Sequence, residues 1–187
     1  MLSSDRLTDI LKLLILDLDE TLIHATEEPL TYQADFKTEL YLVYKRPFVD
    51  KFLEFCFQNF KVGVWTTAGN EFAEEVVQNI FPSDFTLEFL WSHQRCTRVF
   101  DSETLEVYYI KNLKKLKRQG YSLEEMIMVD DTPKKLERNY GNLVRVAEWL
   151  GEQSDRELLL LIQYLDYLKN IENIREIEKR GWKNRYG

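Results

Sequence analysis

The chain reads as an α/β protein, a three-layer sandwich built on a mostly parallel five-stranded sheet. Three observations predict it. Short, continuous aliphatic runs recur along the chain, and such runs mark strands buried on both faces. Stretches with apolar residues at helical spacing lie between them. Two of the runs end on paired acids, at Asp17 and Asp19 and again at Asp130 and Asp131, which is where open parallel sheets present ligand-binding side chains.

Asp5 to Leu11 reads as a short helical turn leading into the first strand, Lys12 to Asp17, which carries Leu13-Leu14-Ile15-Leu16. Past Thr21 the chain turns polar through Glu27, Glu28 and Pro29. Two alternating stretches, Thr31 to Phe36 and Glu39 to Lys45, then predict a β-hairpin around Lys37-Thr38. Lying between the first strand and the next helix, this hairpin would overhang the sheet end at Asp17 as a flap. Arg46-Pro47 stops it, and Pro47 suits the first turn of a helix whose apolar face holds Phe48, Phe52, Phe55 and Cys56. Lys61 to Thr66 is the second strand. Asn70 caps a helix from Glu71 to about Phe81, which Pro82 terminates. Phe85 to Trp91 is the third strand. Ser92 to Thr104 reads as a loop that forms a small hairpin with Glu106 to Tyr109. Lys111 to Arg118 is a basic helix ending near Gly120, and Met126 to Val129 is the fourth strand. Thr132-Pro133 opens another helix, stopped by Gly141, and Leu143 to Val146 is the fifth strand. Ser154-x-x-Glu157 is a capping box before a helix over Leu158 to Leu168. Ile171, Ile174 and Ile177 predict a last amphipathic helix.

The length of 187 residues suits a single domain, with the chemistry-bearing part over about 12–168 and a helical extension over 169–187. Apolar residues make up 44% and aromatic residues 13%, which argues for a globular chain. The net charge of −7, with no basic block, argues against a grip on nucleic-acid backbones. An anionic group bound here must find local positive charge in a metal, a lysine or backbone amides. Cys56 and Cys96 stand far apart with no metal-ligand spacing and read as reduced thiols. Met1 to Ile10 carries no secretory pattern, and the longest apolar stretch, Leu158 to Ile162, is too short to span a bilayer. A monomer in the cytoplasm or nucleus is expected.

One constellation carries chemistry. Asp17 and Asp19 follow the first strand, Thr66 follows the second, Lys111 opens a helix, and Asp130 and Asp131 follow the fourth strand. A parallel sheet collects such points at one edge. Together they hold what phosphoryl transfer requires: a carboxylate nucleophile, a second carboxylate for proton transfer, a hydroxyl donor, and a lysine and a magnesium ion to offset charge. Hard oxygen ligands favour magnesium over zinc. These residues alone do not rank Asp130 against Asp131. His24 and His93 read as structural or solvated. Arg95 and Arg98 read as surface arginines, with contact to a substrate phosphate as the alternative.

The motifs Asp17-Leu18-Asp19-Glu20-Thr21-Leu22-Ile23-His24, Tyr44-Lys45-Arg46-Pro47, Trp65-Thr66-Thr67-Ala68, Tyr109-Ile110-Lys111-Asn112-Leu113 and Val129-Asp130-Asp131-Thr132-Pro133 occur in that order. In these the chain resembles the haloacid dehalogenase superfamily of phosphatases. It is most similar to the branch acting on the RNA polymerase II C-terminal domain, the small C-terminal-domain or nuclear-LIM-interactor-factor-like phosphatases. The resemblance implies a Rossmann-like fold, a phosphorylated protein or peptide as substrate, and a defined cast. Asp17 attacks phosphorus, and Asp19 protonates the leaving oxygen and then activates water. Thr66 and Lys111 bind phosphate oxygens, Asp130 orients Lys111, and Thr21 secures the loop. Magnesium is held by the Asp17 carboxylate, the Asp19 main-chain carbonyl and Asp131. Asn112 departs from the branch, where an Asp usually follows the lysine. No long insertion separates the motifs, so no large cap domain is expected, and an open site suits phosphorylated protein segments. Two alternatives stand beside this reading. One is a catalytically silent binding module of the same fold. The other is a small-molecule phosphatase with the Thr31 to Lys45 hairpin as its lid.

Overall fold

A computed structural model describes residues 11–186. Its elements in chain order are β1 (Leu13–Leu16), β2 (Ile23–Thr26), β3 (Phe36–Lys37), β4 (Leu42–Lys45), α1 (Val49–Asn59), β5 (Lys61–Trp65), α2 (Asn70–Ile80), β6 (Phe89–Trp91), β7 (Thr97–Asp101), β8 (Glu106–Ile110), α3 (Lys114–Lys117), β9 (Met126–Asp130), β10 (Leu143–Arg145) and α4 (Glu157–Leu168). The turn expected over residues 5–11 lies, Leu11 apart, outside the described residues.

Five strands pair in the order β10-β9-β1-β5-β6, and every pairing is parallel. Side chains alternate across a strand, so β1 feeds two cores. Leu14 and Leu16 join Phe52, Leu53, Val76, Leu161 and Leu165 on the face covered by α1, α2 and α4. Leu13 and Ile15 join Trp65, Met128, Leu116 and Leu136 on the other. All four β1 side chains are essentially inaccessible to solvent, each worth about 1.5–3 kcal/mol of burial. The three-layer α/β sandwich is therefore as expected, with no large cap among the described residues. The chain adds β5 and β6 on one side of β1 and returns to add β9 and β10 on the other. The strand order thus reverses between β1 and β9, and their carboxyl ends flank the crevice where such sheets bind ligands.

The second face is covered differently from expectation. The basic helix over Lys111 to Arg118 shrinks to the single turn α3, because Lys114, Lys115 and Lys117 crowd like charges with no acidic partner in the turn. The helix expected from Thr132 to Gly141 is two 3₁₀ turns, Pro133–Leu136 and Tyr140–Asn142. A tertiary bond competes with its helical ladder, the Lys135 carbonyl accepting from Lys111 N–H at 2.7 Å, and the Asn139 side chain fixes the same segment, its Oδ1 accepting from Leu113 N–H at 3.0 Å. The last amphipathic helix is also absent. Ile174 is buried in a 3₁₀ turn, Ile174–Glu176, which a three-residue apolar spacing suits better than an α-helix.

The expected hairpin is a three-stranded antiparallel sheet in the order β2-β4-β3. β2 lies in a segment the sequence pattern left unassigned, and β3 keeps only Phe36 of the stretch from Thr31, adding Lys37 from the expected turn. Side chains hold that stretch instead of a ladder. Tyr44 Oη accepts from Leu30 N–H at 2.9 Å, Tyr32 Oη donates to the Gly151 carbonyl at 2.7 Å, and Asp35 Oδ2 accepts from Lys45 N–H at 2.8 Å. Strand β6 begins at Phe89 rather than Phe85, and the small hairpin is present as β7 and β8, in register from Thr97↔Ile110 to Asp101↔Glu106. The capping box before α4 does not form. Ser154 Oγ donates to Glu152 at 2.8 Å, and Glu157 Oε1 accepts from Ala147 N–H at 2.8 Å.

Candidate active site

Leu16 at the end of β1 lies beside Val129 of β9, so the next residues, Asp17 and Asp130, emerge together. Asp17 N–H donates to the Val129 carbonyl at 3.0 Å, which carries the sheet bonding one residue past the strand. The chain then turns tightly, with Leu22 and Ile23 N–H both reaching the Leu18 carbonyl, at 2.8 and 3.1 Å. Glu20 takes φ 55°, and its N–H donates to the Ile23 carbonyl at 2.8 Å. This loop folds the Asp17-to-Thr21 motif over the end of β1.

Asp17 is fully buried, and three donors hold its carboxylate. Leu18 N–H donates to Oδ1 at 2.9 Å, Lys111 Nζ lies 2.8 Å from Oδ1, and Lys135 Nζ donates to Oδ2 at 2.9 Å. Burial alone pushes the Asp17 carboxyl up, but the two ammonium groups outweigh it and hold the acid below its ordinary range. Lys111 Nζ also donates to Asp130 Oδ2 at 2.6 Å. Burial and the neighbouring Asp17 charge push Asp130 up against this pull. Asp19 stands in the opposite condition to Asp17. Burial, with the Asp17 and Glu20 charges, raises it to about 7, and Thr66 Oγ1 donates to its Oδ2 at 3.3 Å. Thr66 in turn accepts from Ala68 N–H at 3.0 Å.

Asp131 accepts from Thr21 Oγ1 at 3.4 Å and from Thr132 Oγ1 at 2.7 Å. One oxygen each from Asp17, Asp130 and Asp131 lie within 4.8 Å of one another. This hard-oxygen donor set fits a divalent cation of the magnesium type. All six residues singled out in the sequence, Asp17, Asp19, Thr66, Lys111, Asp130 and Asp131, therefore meet at one edge of the sheet. Lys111 reaches it from the end of β8, not from a helix start. Beside Asp19 an open groove of about 420 Å³ is lined by Glu20, Tyr41, Thr67, Gly69 and Phe72. A larger cavity of about 790 Å³, between Arg145 and the segment around Lys179, contains none of these carboxylates.

Lys135 escaped the sequence reading. Its signal was a lysine four residues after Asp131, a spacing that aligns two side chains on one turn. The three facing carboxylates outweigh its partial burial and push its ammonium above the ordinary lysine range. Arg46 is the other residue whose role emerges only in three dimensions: it is buried, and its Nη1 donates to the Thr21 carbonyl at 3.1 Å. Arg95 and Arg98 stay exposed, with Arg95 over the Trp91 ring at 5.2 Å. His24 Nδ1 lies 3.3 Å from Glu20.

Among the described residues, a Rossmann-like sheet without a large cap carries an Asp-x-Asp loop, a buried bridging lysine and a second acid pair at its switch point, the layout that the resemblance to the haloacid dehalogenase type implies. The model of the NLI interacting factor-like phosphatase family matches residues 12–175, and the chain belongs to that family. It is 33% identical over 174 residues to a probable C-terminal domain small phosphatase of Dictyostelium discoideum, covering 88% of this chain and 53% of the relative. It is 30% identical over 169 residues to the CTD small phosphatase-like protein 2 of the same organism, covering 87% of this chain and 28% of that protein. The chain thus spans about half or less of these relatives. The structure of Fcp1, an essential RNA polymerase II CTD phosphatase, shares the fold with a TM-score of 0.67 at 16% identity, over 89% of this chain and 69% of that one.

Proposed function

We propose that this chain is a magnesium-dependent phosphatase that hydrolyses phosphate monoesters through an aspartyl-phosphate, acting on phosphoserine or phosphothreonine in proteins. One observation carries the reading. Two aspartates on one loop lie in opposite electrostatic settings, Asp17 ionised between two ammonium groups and Asp19 held toward its protonated form. Such a division sorts a nucleophile from an acid.

Asp17 attacks phosphorus with one carboxylate oxygen, while the bond from phosphorus to the ester oxygen breaks. Asp19 gives its proton to the departing alkoxide. Asp19, now ionised, takes a proton from water as that water attacks phosphorus, and the bond to Asp17 breaks to release phosphate. Thr66 Oγ1 and Lys111 Nζ bind phosphoryl oxygens, a role supported by their contacts with Asp19 and Asp17, and Asp130 orients Lys111 through its contact with Nζ. The Asp17 carboxylate, the Asp19 main-chain carbonyl and Asp131 would hold the magnesium ion. When bound, it offsets charge on the transferring group.

A protein substrate is supported by the open groove beside Asp19, the lack of a large cap among the described residues, and the names of the relatives. The test is hydrolysis of an aryl phosphate by the natural protein, with magnesium and with chelator, beside Asp17→Asn. Activity is expected only with both metal and Asp17, with a fall of at least about a thousandfold in the variant. A folded natural protein that is inert, and that forms no fluoroberyllate adduct at saturating magnesium, would instead support the binding module. Preference for sugar phosphates over phosphopeptides would overturn the substrate class.

A further inference from the structure

Lys135 holds a position that the proposed reaction does not use. Its Nζ lies 2.9 Å from Asp17 Oδ2, 3.7 Å from Asp130 Oδ1 and 3.8 Å from Asp131 Oδ1. These are the same three carboxylates whose oxygens cluster within 4.8 Å. A divalent ion coordinated at about 2.1 Å by Asp17 and Asp131 would meet this ammonium at close range. Both cations cannot stay.

We infer that Lys135 is a tethered counter-cation that occupies the metal's place, so that divalent binding proceeds by exchange and the ammonium swings out as the ion enters. The inference rests on the metal-dependent reading above and deepens it. Two features make Lys135 the lysine that yields. The Lys111 side chain is completely buried and bridges Asp17 and Asp130, whereas the Lys135 side chain is 18% exposed and so has a path to solvent. The Lys135 main chain is also fixed at both ends. Its N–H donates to the Thr132 carbonyl at 3.1 Å, and its carbonyl accepts from Lys111 N–H at 2.7 Å. The four-carbon stem can therefore rotate out without moving the loop that aims Lys111. In the absence of metal, the ammonium offsets carboxylate repulsion that would otherwise strain the ends of β1 and β9.

The test is calorimetric titration with magnesium chloride of the full natural protein, Lys135→Met and Lys135→Arg, with thermal unfolding of each at zero and saturating magnesium. Lys135→Gln serves as a second charge-removing variant should the Met form fold poorly. Removal of the charge is expected to tighten magnesium binding by about ten- to hundredfold, the scale on which neighbours of metal ligands act. Lys135→Arg should stay near the natural affinity. The charge-removed forms should melt below the natural protein without metal, and the gap should close at saturation. Equal or weaker magnesium binding in both charge-removed forms overturns the exchange and leaves the metal reading standing. Folded natural and Lys135→Met proteins that bind no magnesium at millimolar concentration overturn both.

Discussion

Replacing Arg46 by Met should destabilise the protein by about 3–5 kcal/mol, the range for breaking a buried charged network. The guanidinium is fully enclosed and makes five contacts. Nε and Nη2 hold Asp155 at 3.0 and 2.9 Å, Nη2 reaches Glu157 at 3.3 Å, and Nη1 donates to the carbonyls of Thr21 and Ala147, both at 3.1 Å. Methionine fills similar space and donates nothing. The acids are partly rescued, because Asp155 is 16% exposed and Glu157 keeps Ala147 N–H at 2.8 Å and Lys183 at 2.6 Å. The larger share of the loss is therefore assigned to the two carbonyls, at about 1–3 kcal/mol for each one left unpaired. The carbonyl of Thr21 belongs to the loop that carries Asp17 and Asp19, so activity should fall along with stability. The assay is urea unfolding of the natural protein, Arg46→Met and Arg46→Lys. The slope should be unchanged, and the Lys variant should fall between the other two because it keeps the charge but not the fork. A loss below about 1 kcal/mol for Arg46→Met would refute the idea that this network anchors the loop.

Two further outcomes follow from packing. A Cβ on Gly63 would lie 2.5 to 2.9 Å from ring atoms of Phe89, so Gly63→Ala should cost about 1–3 kcal/mol. The cost should shrink in a Phe89→Leu background, and additive melting-temperature losses across the four proteins would count against this. Tyr164 is buried against Trp182, with its hydroxyl unpartnered among the described residues, and burial pushes the phenol up to about 12. The unfolded phenol ionises first, near pH 10, so the native state holds the extra proton and its stability falls as pH rises from about 10 toward 12. Tyr164→Phe should be neutral or stabilising by up to about 1 kcal/mol, with a flatter alkaline limb in denaturant titrations. An unchanged slope with pH would contradict the assignment.

The legible parts of this fold and the illegible ones differ in how local their causes are. The runs at Leu13–Leu16 and Met126–Asp130 announce strands buried on both faces, and the acids behind them announce a sheet edge with chemistry. Thr66 was readable for the same reason, since it sits one step past an apolar run, whereas Lys111 was expected at a helix start and instead follows β8. The failures lie where backbone groups find partners far away in sequence. Thr31 to Asp35 alternates like a strand, yet Tyr32 bonds to Gly151 and Leu30 to Tyr44. Thr132 to Gly141 carries helix signals at both ends, yet Lys135 and Asn139 spend their bonding capacity on the Lys111–Leu113 segment. Local pattern carries no term for such competition.

The sequence by itself pointed to the α/β class and to six residues that a parallel sheet would collect at one edge, because buried strands and the side chains that follow them are readable from residue order, whereas the strand order that makes a switch point is not. Only the tertiary structure decided their electrical relations. Asp17 and Asp19 differ by one intervening residue in the chain but oppositely in environment, because two ammonium groups face one and a hydroxyl faces the other. Asp130 and Asp131 part company in the same way, the first buried on Lys111 and the second turned toward Thr21 and Thr132. Lys135 entered the cluster only through the tight turn after Thr132. Charge interactions depend on distance and burial, and neither is written in the spacing of residues along a chain.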